Sequence, residues 1–272
     1  MNDFIINWNV DPEIFKITGL FSLKYYSVLI TIGLVIGYFM VRYIYIKEQN
    51  SIQCLEQIAI HIFLGMILGG RLGHCLFYDP EYYLHNLIEI FIPIKKIGDA
   101  YRFVGYQGMA SHGGTLGVIF SIWLYCKKSK TNFLWLVDRL AVATAISVAF
   151  IRFGNFMNSE KATNGAWGVV FQKHDLIPRH PTQLYEAFSY IFISFILMLI
   201  YKKKVNRPNG LLFGVFLSLL FSARFMIEFF KENQVSFENG MILNMGQILS
   251  IPFIIVGLIL IVKKEEHFKA YK

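Results

Sequence analysis

Charge is scarce in this chain. Of 272 residues only 16% are Asp, Glu, Lys or Arg, against about a quarter in an ordinary water-soluble domain. That shortage excludes a conventional soluble fold. Cysteine is scarce as well: Cys54, Cys75 and Cys126 are the whole complement. Their spacing suits neither a disulfide framework nor a metal site. They read as small apolar fillers, and no metal or other cofactor is expected. No convincing internal repeat is present, so the inverted-repeat signature of many transporters is missing. The first residues lack a basic segment followed by a short apolar core, and Asp3, Asp11, Pro12 and Glu13 interrupt them. No cleavable leader is expected there.

What the chain has is apolar length. It is 55% hydrophobic and 17% aromatic, with a mean hydropathy of +0.48. About 18 to 20 apolar residues cross a bilayer. Runs of that kind occupy Leu23–Ile46, Leu55–Phe77, Met109–Cys126, Phe133–Ile151, Leu184–Tyr201, Leu211–Phe230 and Met245–Val262. The fourth is the weakest, because it contains Asp138 and Arg139. The pattern predicts an all-α polytopic membrane protein, one domain over residues 1–272, with about seven transmembrane helices.

Basic residues orient the spans. Arg42 and Lys47; Lys127, Lys128 and Lys130; Lys202, Lys203, Lys204 and Arg207; and Lys263, Lys264, Lys269 and Lys272 fill short loops and the tail on one side. Positive-inside logic puts the N-terminus outside and the C-terminus in the cytoplasm. The pI of about 9.3 follows from these anchors, so no nucleic-acid partner is expected. Trp8 and Phe15 suit the membrane interface. The long loops, Asp79–Gly108, Arg152–Gln183 and Lys231–Asn244, then all lie outside, and long loops carry function more often than short ones. Residues 79–108 suggest a small external head that receives a peptide.

The polar chemistry gathers on that side. Ile151-Arg152-Phe153-Gly154-Asn155-Phe156-Met157-Asn158-Ser159-Glu160 closes the fourth span with side chains that are costly at such depth unless paired or ligand-bound. His112-Gly113-Gly114 opens the third. Free N–H groups at a helix start favour anions, glycines allow close approach, and a histidine exchanges protons near neutrality; a plain helix cap would look the same. Arg224, Glu228 and Lys231 share one helix face, either as a self-satisfied ion pair or as an arginine held for an anion. Arg71 lies within a Gly65, Gly69, Gly73 packing stripe, paired with a carboxylate or facing a polar cavity. Gln183 and Glu186 follow Pro178-Arg179-His180-Pro181-Thr182 at the start of the fifth span. Tyr26 opens the first, where a belt tyrosine is ordinary. A conduction path would scatter polar groups through the depth; these gather at one face.

Several blocks resemble one family, the bacterial prolipoprotein diacylglyceryl transferases. They are Gly69-Gly70-Arg71-Leu72-Gly73, His112-Gly113-Gly114, Arg152 to Glu160, Arg179 to Glu186, Arg224 to Lys231, and Asn244 to Pro252, in family order along the chain. The resemblance implies transfer of a diacylglyceryl group from phosphatidylglycerol to the lipobox cysteine of a prolipoprotein signal peptide. A thioether forms and glycerol phosphate leaves. It also implies a seven-span fold, a periplasm-facing head and site, and an inner-membrane location.

The residue types fit that chemistry. Arg152 and Arg224 suit the phosphate. His112 suits deprotonation of the thiol, since the thiolate is the nucleophile. Glu160 and Glu228 suit orienting the arginines. Tyr26, Gly113, Gly114, Asn155, Asn158, Arg71, Gln183 and Glu186 are candidate substrate contacts. Three places depart from the family: the turn after Glu160 looks shortened, Lys231 stands where an arginine is frequent, and Leu220 where a tyrosine is frequent. The rival reading is a phospholipid transporter or flippase without transfer chemistry, kept open by Arg71 and the Asp138-Arg139 pair.

Overall fold

A computed structural model describes residues 5–18, 21–92, 94–98, 100–103, 108–158, 164–173, 176–203, 207–231, 238 and 240–262. Helices form at every predicted run: α1 (Tyr25–Lys47), α2 (Ile52–Phe77), α5 (Ser111–Ser129), α6 (Phe133–Met157), α7 (Thr182–Lys203), α8 (Leu211–Ile227) and α9 (Met245–Val262). Two short helices, α3 (Pro80–His85) and α4 (Ile88–Phe91), follow α2.

Among the described residues six helices are long and apolar enough to cross a membrane: α1, α2, α6, α7, α8 with the turn that extends it, and α9. The expected seventh, α5, is absent from this set. Its Ser-His-Gly-Gly-Thr start and its closing Lys127 and Lys128 shorten the apolar stretch between them.

The all-α expectation is corrected. Short strands β1 (Ile5–Trp8), β2 (Glu13–Thr18), β3 (Phe21–Lys24), β4 (Ile94–Ile97), β5 (Ala100–Phe103), β6 (Asn164–Phe171) and β7 (Pro178–Arg179) form three small sheets among the described residues. They lie between the apolar runs, where span-length periodicity carries no signal. β1 runs parallel to β6 with Trp8 opposite Phe171, and β6 pairs antiparallel with β7. This sheet matters for the site, because β6 follows α6 and β7 leads into α7. Trp8, Phe156, Val169 and Phe171 pack together there, with the Trp8 and Phe156 rings 4.7 Å apart.

The chain divides into two compact units. One takes residues up to Ile44 with the chain from Leu134 onward; the other runs Tyr45–Phe133. The first is centred on α6, α7 and α8, with Val142, Ala145, Ala149, Tyr190, Leu197, Leu212 and Phe216 buried together. Small residues let α1 join them: Gly33 lies against Phe150, Gly37 against Ser147, and the Ser147 hydroxyl donates to the Gly33 carbonyl at 3.1 Å.

Asp138, the acid inside the weakest run, is fully buried. Its carboxylate accepts the backbone N–H of Gly210 at 2.9 Å and of Phe213 at 2.8 Å. It therefore caps the free N–H groups at the start of α8. Arg139 folds back onto its own helix, over the Trp135 ring at 4.5 Å and donating to the Trp135 carbonyl at 3.1 Å. The pair is a structural device at a helix start, and the transporter reading loses that support.

In the second unit α2 and α5 pack backbone to backbone. A Cβ added to Gly69 would strike the Gly113 carbonyl and Gly117, and one on Gly65 would strike Gly117 and Ser121. This is the small-residue packing of membrane helices.

Candidate active site

In the first unit, three helices bring their ends toward one buried acid. Glu186, one turn into α7, is 1% exposed. Its Oε2 lies 2.8 Å from Arg152 Nε, near the end of α6, and its Oε1 lies 2.8 Å from Lys231 Nζ, just after α8. Lys231 also stands 3.2 Å from Glu228 Oε2. A relay of alternating charge results: Arg152, Glu186, Lys231, Glu228. Arg224, one turn before Glu228 on α8, makes no ion pair among the described residues. Both Arg152 and Arg224 act electrostatically on Tyr190, so among the described residues three cations stand with two carboxylates, a surplus of one positive charge.

The sequence leads to a different pairing. Glu228 was expected to orient Arg224, and it contacts Lys231 instead. Glu186 was a candidate substrate contact, and it holds the two cations. Glu160, expected to orient Arg152, lies outside the described residues, as does the turn that follows it.

Glu186 stands against Arg152 at Nε. Tyr190, one turn after Glu186 on α7, is within hydrogen-bonding reach of Arg152. Tyr26 of α1 lies directly on Gly154, where a Cβ would meet its ring. Gly154 is thus required for α1 to approach the turn that carries Arg152 and Asn155. Asn155 and Asn158 are half-buried on the same turn, and Gln183 is buried one turn before Glu186.

The start of α9 fixes the far side. Asn244 and Gln247 exchange bonds, the Gln247 N–H donating to Asn244 Oδ1 at 2.9 Å and the Asn244 N–H to Gln247 Oε1 at 3.1 Å. This is a reciprocal capping box. Glu238 accepts the Met245 N–H at 3.3 Å. Gln247 Nε2 donates to the Phe225 carbonyl at 3.5 Å, and Asn244 Nδ2 to the Glu228 carbonyl at 3.4 Å. Gly246 faces Glu228, and a Cβ there would strike the carboxylate. The Asn-Met-Gly-Gln sequence therefore clamps the end of α8 and leaves room for Glu228.

The second unit holds Arg71, His112, Gly113 and Gly114. His112 is exposed in the first turn of α5. Gly113 is wedged between Gly69 and Gly73, and Ala110 N–H donates to the Gly70 carbonyl at 2.9 Å. Arg71 is buried and donates to backbone carbonyls, among them Ile90 through Nε at 3.1 Å, Gly108 at 3.5 Å, and Glu89. Its guanidinium stacks 4.9 Å over the Tyr83 ring. It ties α4 to the segment that begins α5. The Tyr82 hydroxyl donates to Glu89 Oε2 at 2.8 Å, and that bond is the main reason its pKa is pushed up to about 12. Among the described residues no group of three or more His, Cys, Asp and Glu could hold a metal ion.

A model of the prolipoprotein diacylglyceryl transferase family matches residues 12–263. The phosphatidylglycerol–prolipoprotein diacylglyceryl transferase of Bacteroides fragilis is 48% identical over 267 residues, covering 95% of each chain. That of Tolumonas auensis is 43% identical over 257 residues, covering 93% of this chain and 95% of its own. That of Porphyromonas gingivalis is 39% identical, with 95% and 94% covered.

Proposed function

The chain belongs to the prolipoprotein diacylglyceryl transferase family, and we propose from this that it is a multi-pass membrane enzyme using phosphatidylglycerol and prolipoprotein as substrates. The diacylglyceryl group moves to the lipobox cysteine of the precursor. The cysteine sulfur attacks the glycerol carbon that carries the phosphate ester. A C–S bond forms, the C–O bond breaks, and the electron pair leaves on the phosphate oxygen as glycerol phosphate.

The observation that carries the site assignment is the Arg152–Glu186–Lys231–Glu228 relay with Arg224 beside it. Negative charge builds on the departing phosphate as the C–O bond breaks. Fixed cations aimed at that charge lower the barrier without reorganising. Arg152 is held beside Glu186 at Nε, and a guanidinium fork suits two phosphate oxygens. Arg224 supplies the second cation. Glu186 and Glu228 hold Lys231 between them and set the local charge at one positive, which suits a monoanionic lipid phosphate. Asn155, Asn158, Gln183 and Tyr26 are the neighbouring donors and acceptors for glycerol hydroxyls and ester carbonyls.

His112 is the proposed acceptor of the thiol proton. Its exposed imidazole at the start of α5 supports that role. The finer topology is also part of this reading: seven crossings, the N-terminus outside, the C-terminus in the cytoplasm, and the site facing the periplasm from the inner membrane. At about 1.5 Å per residue, the 19 residues of α5 approach the roughly 30 Å of a hydrocarbon core. Its glycine-to-glycine packing on α2 supports counting it as the seventh.

Purified protein with phosphatidylglycerol and a lipobox peptide tests the activity. The peptide is expected to gain the mass of one diacylglyceryl group on its cysteine. No gain, with a working relative in parallel, would refute the reading.

A further inference from the structure

The segment after α2 is built the wrong way round for water. Several of its polar groups face inward: Glu89 is 2% exposed, the Tyr82 hydroxyl donates to it, Arg71 holds the carbonyls of Glu89 and Ile90, and Asn86 Nδ2 donates to the Tyr82 carbonyl at 2.9 Å. Asp79, Glu81 and His85 are exposed at its start, and from Leu84 onward the other outward residues are apolar. Leu84 is 67% exposed, Leu87 59%, Ile88 58%, Phe91 60% and Ile92 47%. A surface segment facing water does the reverse, and a contiguous exposed apolar patch marks a partner or a membrane.

Two features identify what covers it. The first is continuity. α2 is a candidate membrane span that ends at Phe77, and α3 begins only a few residues later at Pro80. Phe77 and Tyr78 at the junction are themselves widely exposed. The second is charge. In the hairpin that follows, Lys95 stands directly opposite Arg102. Like charges in that register repel unless an anion lies between or above them. Lys95 reaches back over the Tyr82 ring at 5.4 Å, which keeps the basic pair beside α3.

We propose that the face running from Leu84 through α4 docks into the interface of an anionic bilayer, with Lys95 and Arg102 on its lipid phosphates. The face is an interfacial anchor in which buried hydrogen bonds satisfy the polar groups and the apolar side chains enter the acyl boundary. Arg71 is the strut that makes this inversion stable. The proposal rests on α2 crossing the membrane and not on transfer chemistry, so its test reads no activity.

Hydroxyl-radical footprinting of the full chain in nanodiscs provides that test, with each residue's rate normalised to the unfolded chain. In phosphatidylcholine–phosphatidylglycerol discs, Leu84, Leu87 and Phe91 are expected to be protected several-fold without added peptide. Rates near those of the unfolded chain would overturn the proposal. Protection that arises only when a lipobox peptide is added would make the face a peptide dock instead. Protection lost in discs holding one copy would make it a self-association surface. A Lys95→Glu/Arg102→Glu variant is expected to lose protection by about fivefold or more in anionic discs, since each basic residue there contributes about 1 kcal/mol. No change from the parent would refute the phosphate contacts.

Discussion

Replacing Glu186 by glutamine removes one charge from the centre of the relay and almost no volume. In the native chain both carboxylate oxygens are engaged at 2.8 Å, one by Arg152 and one by Lys231. A glutamine oxygen can accept from one cation, while its NH2 group faces the other and repels it. One charge-assisted bond is lost, at about 1.5–3 kcal/mol, and a partly buried cation is left unpaired, which raises the loss toward about 3–5 kcal/mol. The orientation of Arg152 is expected to absorb much of it, so kcat should fall by about 30- to 1,000-fold at about 1.4 kcal/mol per tenfold. The local charge rises from one positive to two. Affinity for the anionic lipid is therefore expected to hold or improve, and KM for phosphatidylglycerol should stay level or drop. The assay is peptide lipidation by mass under saturating and limiting phosphatidylglycerol, with thermal unfolding in detergent alongside. A melting temperature lowered by several degrees is expected. Glu186→Gln with kcat within about threefold of the parent would refute the relay. A raised KM with unchanged kcat and stability would show instead that Glu186 touches the lipid directly.

Asp138→Ala should destabilise the protein by about 1–3 kcal/mol, because it strips the buried N–H groups of Gly210 and Phe213 of their acceptor; activity per folded molecule should be unchanged, and lost activity in fully folded protein would contradict a purely structural role. Gly246→Ala forces a Cβ into the Glu228 carboxylate and is expected to lower kcat about tenfold or more, which steady-state kinetics would detect; parent-like rates would show that Glu228 has room to move. Arg152→Lys keeps the charge and loses the fork, and should lower kcat/KM by about 10- to 100-fold; equal activity would show that two-point contact is unnecessary. His112→Asn should abolish most transfer between about pH 6 and 9, and near-parental rates across that range would remove His112 as the base.

The spans were legible because a run of about 20 apolar residues has few other uses, and the sequence named Arg152, Asn155, Glu186, Arg224 and Glu228 together because they fall at or near span ends. Which charge meets which was not legible. Glu228 precedes Lys231 by three residues and follows Arg224 by four, and both spacings lie on one helix face. The choice between them was made by the turn at Glu228–Phe230, where α8 tightens into a 3-10 helix and swings Lys231 toward α7. Arg71 was equally opaque. An arginine within a span suggests a carboxylate partner or a cavity, but backbone carbonyls freed at a tight loop serve as well, and they leave no trace in side-chain sequence. The strands escaped notice for a related reason: Ile94-Lys95-Lys96-Ile97 is too short to carry a period of its own.

The departure at Lys231 has a physical reading once the relay is seen. The ammonium is a point charge with three donors spread over a hemisphere, and here it meets Glu186 of α7 on one side and Glu228 of α8 on another. A planar guanidinium presents its donors in one plane and matches a single carboxylate edge best. Two acids approaching from different helices suit the lysine. Among the described residues the buried acids are all committed in this way: Asp138 and Glu238 to helix-start N–H groups, Glu89 to Tyr82, and Glu186 and Glu228 to Lys231. The acids fix positions, and the charge that remains to meet a ligand is positive, on Arg152 and Arg224. In the proposed function that positive charge is what meets the lipid phosphate.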